Sequence, residues 1–219
     1  MQLKQLGNST VHVTPIAFGA WAIGGWMWGG AEETDAIKAI RASYEAGITT
    51  IDTAPVYGFG KSEELVGRAM EGISRDRYQI LTKYGLNWQT QEGEFHFDTT
   101  DNSGNPIKVY KYARRKKVIQ ECEDSLRRLK TDYIDLLQIH WPDSTTSIAE
   151  TMEAVATLIE QGKVRVAGVC NYNVAQVEEA TRTLPIVSNQ VPYSLINRGI
   201  EKDVVPQALK EGMSIIPYS

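Results

Sequence analysis

Short, unbroken apolar runs rich in β-branched residues alternate with segments of helical period along the whole chain, and this rhythm leaves few folds open. The runs are PIAFGA (15–20), ITTIDTA (48–54), YQILTKYG (78–85), YIDLLQIH (133–140), VRVAGVCN (164–171), PIVSNQV (185–191) and MSIIPYS (213–219). They are continuous rather than alternating in polarity, as strands buried on both faces of a parallel sheet must be. Between them, Ile37, Ile40 and Tyr44 recur at helical spacing, as do Val118, Cys122 and Leu129, so each intervening segment reads as a crossover helix. Gly47, Gly162 and Gly212 stand where such helices stop before a strand.

Regular βα alternation allows a doubly wound open sheet or a (β/α)8 barrel. Dinucleotide binding on an open sheet calls for G-x-G-x-x-G after the first strand, and GAWAIGGWMWGG (19–30) lacks that spacing. The expected class is therefore α/β, a (β/α)8 TIM barrel. An N-terminal β-hairpin around Gly7-Asn8 would cover its closed end. No linker composition divides residues 1–219, which read as a single domain. A complete barrel has an eighth unit and typically about 250 residues, so a barrel truncated after strand seven is expected. The segment from Leu86 to about Ala113 reads as a long polar loop, and loops of that length are usually functional or disordered.

Bulk properties exclude several classes of function. A net charge of −4 gives no basic surface for nucleic acid or anionic membrane, and Arg114 to Lys117 reads as a solvated helix face. No apolar stretch approaches the roughly 20 residues of a membrane span, and the N-terminus lacks a signal-peptide core. Cys122 and Cys170 lack the spacing of a zinc site or disulfide framework. A cytoplasmic protein is expected.

In (β/α)8 enzymes the chemistry gathers at the carboxyl ends of the strands. There the sequence places Asp52 with Tyr57 just beyond it, Lys83, His140, Asn171, Gln190, and Tyr218 with Ser219. All five tryptophans, Trp21, Trp26, Trp28, Trp88 and Trp141, follow strands one, three or four, giving a rim suited to an apolar or ring-bearing ligand. Singly, Asp52 could cap a turn, Lys83 pair with any carboxylate and His140 be a core histidine. Three such groups on neighbouring strand ends beside a tyrosine instead suggest proton donation by a phenol. A tyrosine with a pKa near 10 needs a cation close by, which Lys83 supplies, with Asp52 as counter-charge. His140 would orient a substrate oxygen that gains negative charge, such as a carbonyl receiving hydride. A phosphate loop at GFGKSE (58–63) fails because Pro55 occupies its first glycine position. A Schiff-base lysine at Lys83 stays open, though it leaves Tyr57, Asn171 and Gln190 without roles.

FGAWAIGG (18–25), IDTAPVYGFGKSEELVGRAM (51–70), LTKYG (81–85), SLRRLKTDYIDLLQIHWPD (125–143), VRVAGVCN (164–171) and IVSNQVPYSLINR (186–198) together resemble the aldo-keto reductases. The tryptophan-rich first loop and HWPD turn look like the branch of bacterial aldehyde reductases and potassium-channel β-subunits. The resemblance implies a nicotinamide cofactor, NADP(H) more than NAD(H), no metal, and a small-molecule carbonyl substrate, and it leaves room for a homo-oligomer. It implies a catalytic tetrad of Asp52, Tyr57, Lys83 and His140, with Tyr57 as general acid. It puts cofactor contacts at Gly19, Ala20, Trp21, Asp52, Cys170, Asn171, Gln190, Tyr218 and Ser219, and a substrate pocket at Trp21, Trp26, Trp88 and Trp141. Cys170 stands where the family ordinarily has serine, and a thiol is the weaker hydrogen-bond donor. The family's grip on the pyrophosphate and 2′-phosphate lies mostly beyond strand seven. The alternative that the branch implies is a regulatory subunit with little turnover.

Overall fold

The computed structural model describes residues 1–29 and 31–218. A two-stranded antiparallel hairpin, β1 (Lys4–Gln5) and β2 (His12–Val13), precedes the main sheet. Then follow β3 (Phe18–Gly19), α1 (Glu33–Glu45), β4 (Thr50–Asp52), α2 (Lys61–Ala69) and β5 (Gln79–Tyr84). Next come β6 (Leu86–Asn87), β7 (Glu94–Thr100), β8 (Pro106–Lys111), α3 (Arg115–Leu129), β9 (Ile134–Ile139) and α4 (Ile148–Glu160). The remainder is β10 (Val164–Cys170), α5 (Val174–Thr181), β11 (Ile186–Pro192), α6 (Val204–Glu211) and β12 (Ser214–Tyr218). Seven strands form one sheet in the order β12-β11-β10-β9-β5-β4-β3, with every neighbouring pair parallel.

Both faces of the inner strands β4, β5, β9, β10 and β11 are largely buried, which is why they read as unbroken apolar runs, while the edge strands β3 and β12 are more exposed. Side chains alternate between faces with a period of two, so Ile80, Leu137 and Ile186 join the large core beneath the helices. Their chain neighbours Leu81, Leu136 and Val187 join a smaller core with Leu6 and Val11 of the hairpin. The hairpin is thus a plug on the inner face of the sheet. Its Gly7 N–H donates to Ser214 Oγ at 2.8 Å. A Cβ on Gly7 would lie 2.3 Å from the Val187 carbonyl oxygen, so only glycine allows this approach. The strands of the hairpin are separated by the turn around Gly7-Asn8, as expected, and Leu6 N–H closes that turn on Val11 O at 2.9 Å.

Residues 86–113 depart from the sequence reading. They form a three-stranded antiparallel sheet, β6-β8-β7, rather than an irregular loop. Its tip is a compact turn in which Asp101 Oδ1 accepts from the N–H groups of Ser103 and Asn105, each at 2.8 Å. Gly104 there has φ +84. Aromatic and β-branched residues flanking DNSGNP carried the hairpin signal, and Pro106 sits at the first position of β8, where a missing N–H does least harm. No helix among the described residues is long and apolar enough to cross a membrane.

Candidate active site

Alternation along β5 decides where Lys83 points. Thr82 faces the helices, donating to Glu63 Oε1 at 2.7 Å, so its neighbour Lys83 faces the mouth of the sheet. Lys83 is 2% exposed, and its Nζ donates to Asp52 Oδ2 at 2.8 Å and to the Thr53 carbonyl at 3.0 Å. Burial is the largest single influence and pulls the ammonium pKa down, yet the Asp52 carboxylate together with Tyr57 and Cys170 outweighs it and holds the pKa above the usual lysine value. The other Asp52 oxygen accepts from Gln190 Nε2 at 3.1 Å, so the carboxylate bridges β4, β5 and β11.

Tyr57 reaches the same place by way of a tight turn after β4. Tyr57 N–H bonds Ala54 O at 3.1 Å and Gly60 N–H bonds Pro55 O at 2.7 Å. Gly58 adopts φ +66, and a Cβ there would sit 2.0 Å from the Gly24 carbonyl oxygen. The turn and the tryptophan-rich loop are therefore in backbone contact, which fixes Trp21 stacked on Tyr57 with ring centroids 5.7 Å apart and planes 18° from parallel. Lys83 Nζ lies 5.1 Å from the centre of the Tyr57 ring. Its charge pulls the phenol pKa down as expected, but desolvation outweighs that pull and the net displacement is upward. The phenol stays protonated at neutral pH.

His140 follows β9 and stands edge-on to Tyr57, centroids 5.7 Å apart at 82°. Burial, with the nearby Lys83 charge, drives its pKa well below the usual histidine value, so the imidazole is neutral and keeps one N–H. Its backbone carbonyl accepts from Asn171 Nδ2 at 3.0 Å. Asn171 has φ +60, a conformation that asparagine tolerates better than most residues. Its Oδ1 accepts from the Tyr218 hydroxyl at 2.7 Å, holding that ring over the mouth. The Cys170 thiol faces Gln190 Oε1 at 3.6 Å, and burial pushes its pKa up so that it remains a thiol.

These groups line one cavity of about 390 Å³. Gly19, Ala20, Trp21, Trp26, Asp52, Tyr57, His140, Trp141, Cys170, Asn171, Gln190 and Tyr218 all border it. Lys83 lies beneath, reaching it through Asp52 and Tyr57. Trp88 does not line it; its ring packs edge-on against Phe59, 5.5 Å away, behind the wall. Ser219 lies outside the described residues. Sequence reading missed His96 and Phe97 of β7, together with Met27, Val56 and Leu86. The first two were hidden by reading their segment as a loop. The hairpin is tied down over the site by Trp26 Nε1 donating to Thr99 Oγ1 at 2.9 Å and by Asn102 Nδ2 donating to Gly24 O at 3.0 Å.

The donor set suits a nicotinamide ring. A primary carboxamide both donates and accepts, as do the side chains of Asn171 and Gln190, and the Tyr218 ring and the uncrowded backbone at Gly19 border the same space.

A model described as the aldo/keto reductase family matches residues 15–219. The aldo-keto reductase YhdN of Bacillus subtilis is 38% identical over 219 residues, covering 100% of this chain and 61% of that protein. An NADH-specific methylglyoxal reductase of Escherichia coli is 32% identical over 224 residues, covering 100% and 67%. The structure of the glycerol dehydrogenase AKR11B4 from Gluconobacter oxydans has a TM-score of 0.85 and 38% identity, covering 99% of this chain and 62% of that one. The chain thus spans about three fifths to two thirds of the length of these curated relatives.

Proposed function

The chain belongs to the aldo/keto reductase family, and from that premise we propose that it serves reduction of an aldehyde or ketone to the alcohol with a nicotinamide cofactor. The observation that carries this reading is the meeting, at one cavity, of the Tyr57 phenol and the His140 imidazole with Asp52, whose buried partner Lys83 lies directly beneath. We read the seven parallel strands as those of a (β/α)8 barrel, as in the family, residues 1–219 as one domain of it, and the protein as cytoplasmic.

When bound, the nicotinamide supplies the hydride. Asn171, Gln190 and Cys170 would hold its carboxamide, Tyr218 would cover its ring, and Gly19, Ala20, Trp21 and Ser219 would complete the contact. Tyr57 holds the proton that the substrate oxygen receives. Lys83 stabilises the phenolate left behind, since a buried cation beside a developing anion needs no solvent rearrangement. Asp52 keeps Lys83 charged. His140 donates its N–H to the carbonyl oxygen and fixes its orientation. Trp21, Trp26 and Trp141 exclude water around the substrate, and Trp88 supports that wall from behind. NADP(H) ahead of NAD(H) follows from the family resemblance, and the E. coli relative's NADH specificity makes the reverse a defined outcome.

The test uses the polypeptide as encoded, with NADPH and NADH in turn and a panel including methylglyoxal and aromatic aldehydes, following nicotinamide absorbance. Tyr57→Phe should lower turnover by about 100-fold or more, the usual worth of a general acid, with cofactor affinity held within about threefold. Unchanged turnover would remove Tyr57 from the chemistry. Absence of turnover on every substrate would remove the reductase reading itself.

A further inference from the structure

His96 lies in β7 of the hairpin, outside the strand-end residues that make up the reaction centre. Along β7 the register against β8 slips: Phe95 faces Tyr110 and Phe97 faces the adjacent Val109, so His96 is the additional residue of a β-bulge. In a regular strand His96 and Phe97 would face opposite ways. The bulge breaks that alternation, and both line the cavity, while Phe95 turns outward onto Tyr110 and is 49% exposed. Bulges beside active sites commonly re-aim a side chain in this way.

The imidazole is held on two sides, 4.8 Å from Phe97 and 5.2 Å from Trp141, ring centroid to centroid. Among the described residues it makes no hydrogen bond with either ring nitrogen, whereas every other titratable group lining the cavity comes from a strand end or from the turn carrying Tyr57. Phe97 and Trp141 flank it, and Trp26 stacks on Phe97 with ring centroids 5.8 Å apart. A hydrogen-bonding group presented unpaired beside these rings discriminates modestly, because a ligand lacking a partner leaves it unsatisfied.

We propose that His96 is a substrate-positioning residue that selects carbonyl compounds bearing a second, uncharged oxygen, hydroxyl or carbonyl, which hydrogen-bonds to its ring. Partial burial and the Lys111 ammonium depress the imidazole pKa against the opposing pull of Glu94, so the ring offers one donor and one acceptor rather than a cation. That favours a neutral oxygen over a carboxylate. The inference rests on the reductase reading above and adds the kind of substrate to it.

The test compares glyceraldehyde with pentanal, which is similar in size and lacks the extra oxygens. In His96→Phe, which keeps the aromatic packing, kcat/KM for glyceraldehyde should fall roughly three- to tenfold, the worth of one neutral hydrogen bond, while pentanal changes less than about twofold. His96→Gln, which restores a donor and an acceptor, should recover most of the loss. Equal losses on both aldehydes, no loss on either, or failure of glutamine to rescue would overturn the proposal. Should the unmutated enzyme reduce neither aldehyde, the reductase reading fails separately. Titration of the same two aldehydes by tryptophan fluorescence then decides His96 through the same ratio of affinities.

Discussion

Lys83→Met separates the structural from the chemical duties of the site. The methionine matches the lysine stem in length and removes the ammonium, leaving Asp52 with its side chain 15% exposed and, among the described residues, only Gln190 Nε2, 3.1 Å away, as a side-chain donor. The Thr53 carbonyl loses its Lys83 partner as well. Removing one member of a buried ion pair typically costs about 3–5 kcal/mol, chiefly through the charge left behind. With a urea m-value of about 2–3 kcal/mol/M, the unfolding midpoint should drop by roughly 1–2 M. Adding Asp52→Asn to the same chain removes the orphaned charge, and the double variant should regain about half of the lost stability or more. Both variants should lose turnover, since neither can stabilise a Tyr57 phenolate, so stability and activity part company in the double variant. A Lys83→Met chain within about 1 kcal/mol of the parent, or a double variant no more stable than the single one, would refute the reasoning.

Glu121 is buried with its side chain 8% exposed, and desolvation raises its pKa to about 7 despite Lys117 at 3.6 Å and the Gly85 N–H at 2.7 Å. A carboxyl raised in the folded state favours folding fully below its unfolded value near 4.5, and that contribution is lost as pH rises through about 7. Between those values stability should decline by roughly 3 kcal/mol from this group, and Glu121→Gln should flatten the decline in urea melts across that range. Gly58→Ala meets the Gly24 carbonyl at 2.0 Å from a positive φ. It should cost about 2 kcal/mol or more and depress turnover by displacing Tyr57; an unchanged kcat would mean that the turn tolerates movement. Cys170→Ser puts a stronger donor opposite Gln190 Oε1. Nicotinamide nucleotide affinity, read by fluorescence quenching, should tighten roughly three- to tenfold, and weaker binding would show that the thiol is not limiting.

Asp52, Lys83, His140, Asn171 and Gln190 were legible because their positions are local facts. Each stands at the end of an apolar run, and parallel strands must present those ends together. The hairpin over 94–111 was hidden by its polar turn and by the contrast with the buried strands around it. Its strands alternate because one face meets the site and the other meets solvent. Trp88, counted with the rim from chain position alone, packs against Phe59 instead.

Sequence by itself therefore determined the layering, the strand ends and the family, since period and strand length are properties of neighbouring residues. Tertiary structure decided the rest. Whether burial or Lys83 governs the Tyr57 proton depends on desolvation by groups distant in the chain. The turn toward the cavity at His96 depends on a register slip against Tyr110 and Val109. The fixed placement of the Tyr57 turn depends on Gly24 and Gly58 meeting backbone to backbone. Each outcome is set by which distant atoms come into contact, and no local pattern of residue types encodes that.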